Sequence, residues 1–231
     1  MQAPGANTAL SRWGDMCFSA TASLAAGTFL AGVGVMTLRR VRHRSELAYA
    51  AIPLLFAIQQ LTEGVVWLTF DPALERLNTA AAMLYSLFSH VLWPIYVPVA
   101  AWLLERTATR RKALGAAVAV GLSVGLYLLA TLVSDGIVAR PIGRHIEYDA
   151  PHLYIPAVMA LYLAATTLSL LLSSHGRVRL FGALAFASSV LAYVAYARWF
   201  ISVWCFFAAL LSIVVCLHLS QHPNRLAGAR P

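Results

Sequence analysis

The sequence predicts an all-α fold, a seven-transmembrane-helix bundle with its N-terminus outside and its C-terminus cytoplasmic. Three observations carry that expectation. Of 231 residues, 60% are hydrophobic and only 11% charged, whereas ordinary soluble domains carry roughly 25% charged residues. Seven apolar runs have about the 20 residues that a helix needs to cross a hydrocarbon core. The 17 Lys+Arg, set against 9 Asp+Glu, cluster in alternate loops, and positively charged loops stay cytoplasmic.

The first run covers about 17–38 and leads into Arg39, Arg40, Arg42 and Arg44. It is too long for a signal peptide and its basic flank resists translocation, so it reads as a retained helix. The second covers about 47–70, and the third, about 80–104, closes on Arg106, Arg110, Arg111 and Lys112. The fourth, about 113–134, holds Gly121 and Gly125, a pair of small residues suited to close helix packing. A connection of about 135–151 bears Asp135, Arg140, His145, Glu147 and Asp149 ahead of the fifth run, about 152–173. Arg177 and Arg179 precede the sixth, about 180–197. The seventh, about 199–220, is split from the sixth at Ala197-Arg198-Trp199, because one helix through both would be roughly 60 Å long, twice the core thickness. Residues 1–16 are then an N-terminal extension, 17–222 the membrane domain and 223–231 a cytoplasmic tail. The expected setting is the plasma membrane, spanned several times, with the bilayer and a lipid-like or small-molecule ligand as partners. Topology explains the basic excess, so no nucleic acid is expected.

Ionisable groups inside a span are costly and mark functional sites. Glu63 falls about 10 Å below the outer end of the second helix and Gln59 about 16 Å below it, on one face. In the antiparallel third helix Ser86 lies about 9 Å deep and His90 about 15 Å deep. Equal depths suggest that Glu63 meets Ser86 and that Gln59 meets His90. The plain structural alternative is that the four only glue two helices together. Glu63 fits that account least, because a lone buried carboxylate must hold a proton or find a cation. Pro94 deprives the His90 carbonyl of its helical donor and predicts a kink there. His152 and Pro156 repeat the spacing at the outer end of the fifth helix. Ser19, Ser23, Ser189, Tyr193 and Arg198 reach the same depth; Gln59, Ser19, Tyr193 and Arg198 are the candidate ligand-binding residues. Cys17 and Cys205, both near the outer surface, are a candidate disulfide. At the other end of the seventh helix His218 and His222, four residues apart, form a second candidate zinc pair.

The run Met16-Cys17-Phe18-Ser19-Ala20-Thr21-Ala22-Ser23, with Ala51-Ile52-Pro53-Leu54-Leu55-Phe56-Ala57-Ile58-Gln59-Gln60-Leu61-Thr62-Glu63-Gly64, resembles an uncharacterised bacterial membrane-protein family whose members begin Met-Cys-Phe-Ser-Ala. That resemblance implies no activity, but it implies Met16 as the usual start, which would leave Cys17 at the N-terminus. Ser86-x-x-x-His90 and His218-x-x-x-His222 also resemble the seven-helix zinc hydrolases that include the alkaline ceramidases and adiponectin-receptor-like proteins. In those, the two motifs surround a zinc that activates water. Here the two histidine levels differ by about 12 Å along the axis, and the family's acidic partner has no match, Glu105 lying too near the cytoplasmic surface.

A retinal pigment needs a lysine on the last helix, and the only lysine is Lys112, so retinal is excluded. No phosphate-cradling glycine loop exists, so no nucleotide is expected. Three functions remain. The first is a metal-dependent hydrolase of a lipid-like amide or ester, with Glu63, His90 and Ser86 catalytic and zinc held by His90, Glu63 and His152. The second is a proton- or ion-coupled small-molecule carrier in which Glu63 titrates. The third is a seven-helix ligand-binding sensor without catalysis.

Overall fold

The computed structural model describes residues 19–143, 145–196 and 199–220, and the chain is mostly helical. Its helices, of which the second, third and fifth include short 3₁₀ or π stretches, are α1 (Ala20–Arg39), α2 (Arg44–Leu68), α3 (Pro72–Leu104), α4 (Ala108–Asp135), α5 (Pro156–Leu171), α6 (Gly176–Tyr196) and α7 (Phe200–Ser220). Six of them, all but α5, are long and apolar enough to cross a membrane by length and composition. The expected seven full spans are thus six plus a shorter apolar helix. The reason lies at the start of α5: Pro151–Tyr154 forms a 3₁₀ turn and the α-helix begins only at Pro156. A proline is readily accommodated in the first turn, where its missing N–H costs nothing. The predicted break between the last two helices falls between Tyr196 and Phe200.

Ser19 starts α1 by accepting the N–H of Ala22 at 3.3 Å, which satisfies one of the donors left open at a helix start. Along α1 and α2, glycines permit a close approach. A Cβ on Gly34 would stand 2.7 Å from the backbone of Leu54. The predicted pair in α4 acts likewise: a Cβ on Gly121 would collide with the Pro94 carbonyl, and one on Gly125 would come 2.8 Å from Ile95. Without a hydrophobic drive between helices in lipid, such backbone contact is what holds them.

Bonds between arginines and carbonyls or hydroxyls tie the turns together at one end of the bundle. Arg110 donates to the carbonyls of Leu172 (3.1 Å) and Ser173 (2.8 Å), Arg177 to that of Leu217, and Arg40 to the hydroxyl of Ser220. This is the basic end. The opposite end is closed by a β-hairpin within the connection expected at about 135–151. Strands β1 (Ala139–Ile142) and β2 (His145–Tyr148) pair antiparallel, Arg140 opposite Glu147. The turn contains Gly143 at φ 60°, a left-handed conformation that suits glycine. Strand alternation turns Ile146 and Tyr148 inward, both buried.

Two apolar cores follow the axis. The hairpin-end core includes Tyr85, Leu128, Ile146, Tyr148, Tyr162, Phe200 and Trp204. The basic-end core includes Leu30, Tyr49, Phe56, Trp93, Leu114, Leu170 and Phe181. Between them α3 widens into a π stretch over Leu87–Leu92, in which the N–H of Trp93 reaches the carbonyl of Phe88 five residues back. The kink predicted at Pro94 therefore takes the form of one inserted residue, a device that lets a helix continue past a proline's missing donor. A second π stretch covers Ala164–Leu168 in α5.

Candidate functional site

Glu63 is the carboxylate buried in the middle of the bundle, with 2% of its surface exposed. Its partners are hydroxyls on two other helices. Ser202 of α7 donates to Oε1 at 2.6 Å and Ser23 of α1 to Oε2 at 3.4 Å. Gln60 and Tyr85 border the same carboxyl, and their side-chain polar atoms make no hydrogen bond of ordinary geometry. Tyr148 of the hairpin stacks on Tyr85 with centroids 4.5 Å apart, and Cys205 adjoins Tyr85 and Gln59. Among the described residues no Lys, Arg or His pairs with Glu63.

The depth matching therefore needs correction. Glu63 meets Ser23 and Ser202, not Ser86, and Gln59 accepts from the indole N–H of Trp93 at 2.6 Å, not from His90. The π stretch is the reason. It changes the face that α3 presents on either side of Leu87–Leu92, while α1 and α7 take the polar face of α2.

His90 forms a second polar cluster. Its Nδ1 lies 2.8 Å from the Ser89 hydroxyl and 3.2 Å from the Ser86 carbonyl, and the Ser89 carbonyl accepts from the Tyr162 hydroxyl. Among the described residues the Ser86 hydroxyl and His90 Nε2 have no hydrogen-bond partner. A cavity of about 20 Å³, the room of roughly one water, is lined by His90 together with Thr131, Asp135, Asp149 and His152. At its rim His152 Nε2 stands 2.9 Å from Asp135 Oδ2 and its Nδ1 3.3 Å from the Tyr127 hydroxyl. His90 and His152 thus line one cavity, but the Glu63 carboxyl belongs to the other cluster. Among the described residues no three His, Cys, Asp or Glu side chains are grouped to hold a metal ion.

The remaining candidates lie elsewhere. Ser19 is the cap of α1. Tyr193 is half exposed and packs its ring on Phe200 at 5.9 Å. His218 sits at the basic end against the rings of Tyr49 and His175, at 5.5 and 5.4 Å. Cys205 is a buried free thiol among the described residues, and the other half of the candidate disulfide is not among them. Cys17, Arg198 and His222 lie outside the described residues.

Glu105, passed over as too near the surface, is equally buried at 2% exposure. It accepts from the N–H groups of Arg106 (3.0 Å), Thr107 (2.8 Å) and Ser174 (2.6 Å), and from the Ser174 hydroxyl at 2.9 Å. Burial alone would raise its carboxyl, but the backbone and hydroxyl donors of Ser174 and Thr107 pull it down to about 2. It clasps the end of α3 to the turn between α5 and α6. Ser202, Ser89 and Tyr148 were missed as site residues. Ser202 lies on α7 at a level like that of Glu63, but only the packing of α7 beside α2 brings them together.

A profile for a family described as "Family of unknown function (DUF6629)" matches residues 16–229. No curated protein and no solved structure matches the chain.

Proposed function

The chain belongs to this family of unknown function, and from its own geometry we propose a proton-coupled membrane carrier for a small molecule, with Glu63 as the titrating group. One observation carries the reading. A carboxyl 2% exposed is held by the hydroxyls of Ser23 and Ser202, with Gln60 and Tyr85 beside it and no cation paired with it among the described residues. A buried charge without a cation is costly, so this group is suited to gain and lose a proton as water reaches it. Hydroxyls suit that change, since each both donates and accepts. With Glu63 ionised, Ser202 and Ser23 donate to it. With Glu63 protonated, the acid O–H needs an acceptor, which a serine hydroxyl that reverses its role or the side-chain carbonyl of Gln60 beside it can supply. Because Ser23 is on α1 and Ser202 on α7, proton binding changes the bonding between three helices. The π stretches in α3 and α5 supply local irregularity of the kind found at functional sites.

The carrier is preferred to a metal-dependent hydrolase because Glu63 and His90 have separate partners. Infrared difference spectra of purified protein between acid and alkaline pH test it. The carboxylic C=O band of Glu63 should appear reversibly and be absent in Glu63→Gln. Vesicles containing the wild type should also change internal pH when a gradient of a transported solute is applied, acidifying or alkalinising according to the direction of coupling, and vesicles with the Glu63→Gln protein should not. A wild-type spectrum without a titrating carboxyl band assignable to Glu63 would overturn the proposal.

A further inference from the structure

We propose that the basic end carries a binding site for a phosphate group, formed by Arg39, Arg40 and Arg42 after α1 and closed by Leu219 and Ser220 at the end of α7. These residues and Val41 line a pocket of about 390 Å³, within the size range of small-ligand sites. Among the described residues no carboxylate forms an ion pair with Arg39, Arg40 or Arg42. The nearest acid in sequence, Glu46, turns Oε2 to the backbone N–H groups of Arg42 (2.9 Å) and His43 (3.3 Å).

Other arginines at this end are used differently. Arg110, Arg177 and Arg179 donate to carbonyls of Leu172, Ser173, Ser174 and Leu217 and so fasten turns. Arg40 has a fastening role too, bonding Cys216 Sγ at 3.3 Å and the Ser220 hydroxyl. That contact fixes its guanidinium at the wall of the pocket. The side chains of Arg39 and Arg42 make no hydrogen bond or ion pair among the described residues, and both are exposed. The carbonyl ends of α1 and α7 favour cations nearby, but helix ends alone do not call for three guanidinium groups around one hollow.

Guanidinium groups match phosphate oxygens in pairs, which makes arginine the usual residue for such recognition. Val41 and Leu219 supply an apolar wall beside the charged one. A basic pocket between the ends of membrane helices is where an anionic lipid headgroup binds, and the same chemistry accepts free inorganic phosphate.

The test uses the full chain purified in detergent, with thermal unfolding followed during titration with phosphatidylglycerol, phosphatidylcholine or inorganic phosphate. Phosphatidylglycerol should raise the midpoint by mass action, while phosphatidylcholine should not. Arg39→Gln with Arg42→Gln, which spares the Arg40 contact to α7, should weaken the response roughly tenfold in apparent affinity. Arg106→Gln with Lys112→Gln removes the same charge from the same end and should leave it unchanged. A response to phosphatidylglycerol alone identifies a lipid headgroup site, and an equal response to inorganic phosphate identifies a free-phosphate site. No response to either anion overturns the proposal, as does an equal loss in the two double variants.

Discussion

Glu63 and Glu105 are the same side chain at the same burial, and their surroundings are opposite in kind. Glu105 takes three backbone N–H groups and one hydroxyl, all at 3.0 Å or less. Glu63 takes two hydroxyls, one of them at 3.4 Å. A backbone N–H only donates, so its arrangement suits one charge state. A hydroxyl serves either state. Burial alone does not mark a functional carboxylate; the nature of its donors separates a structural anion from a group able to change its charge.

The comparison is broken most severely at Glu105. Glu105→Ala leaves the Arg106, Thr107 and Ser174 donors without an acceptor and should cost about 3 kcal/mol in detergent unfolding. A loss below about 1 kcal/mol would show that the clasp is dispensable. Acidity probes the same group. Its folded value of about 2 lies below the ordinary carboxylate value of roughly 4.3. Its stabilisation is therefore fully present above the unfolded value and is lost as pH falls through the folded one. The unfolding midpoint should drop between about pH 4 and 2, and Glu105→Gln should flatten that drop.

At Glu63 the effects on stability are smaller. Ser202→Ala removes the shorter of its two bonds and should cost about 1.5 kcal/mol, a value near the low end for bonds to charged groups. It should also shift the Glu63 infrared band. Glu63→Gln keeps the shape and should change stability by less than about 1 kcal/mol, while removing the titrating band. A loss as large as that of Glu105→Ala would place Glu63 among the structural anions. Tyr148→Phe should be the mildest change, within about 0.5 kcal/mol in the same unfolding assay, because the Tyr148 hydroxyl has no hydrogen-bond partner among the described residues.

What sequence reveals here depends on range. Apolar run length is a local signal, and it locates all the long helices as well as the break before Phe200. The small pair Gly121 and Gly125 is local too, and its close contact with α3 is observed. The hairpin was hidden because β2 is four residues long, too short for the alternation of Ile146 and Tyr148 to stand out in a charged loop. The shortness of α5 was obscured by His152–Ile155, which is apolar enough to extend the run but folds ahead of the helix. Glu63 was legible because few acids occur and most fall in loops. Of its partners, Ser23 was within reach by its depth, but Ser202, 139 residues after it, was not legible. Nothing local distinguishes Ser202 from the other serines in spans. Glu105 was undervalued because depth along a helix says nothing about a neighbouring turn folding over its end.

The π stretch in α3 makes residue counting itself position-dependent. A helical wheel advances about 100° per residue, and one surplus residue offsets every later position by that amount. Residues 75–86 and 93–104 thus belong to two wheels with different zero points. Deleting one residue from Leu87–Leu92 should rejoin the wheels and straighten the ladder of hydrogen bonds. It would also carry Trp93 about a quarter turn away from Gln59, and the Pro94 carbonyl away from Gly121. A single codon in this stretch therefore sets which face of α3 meets α4.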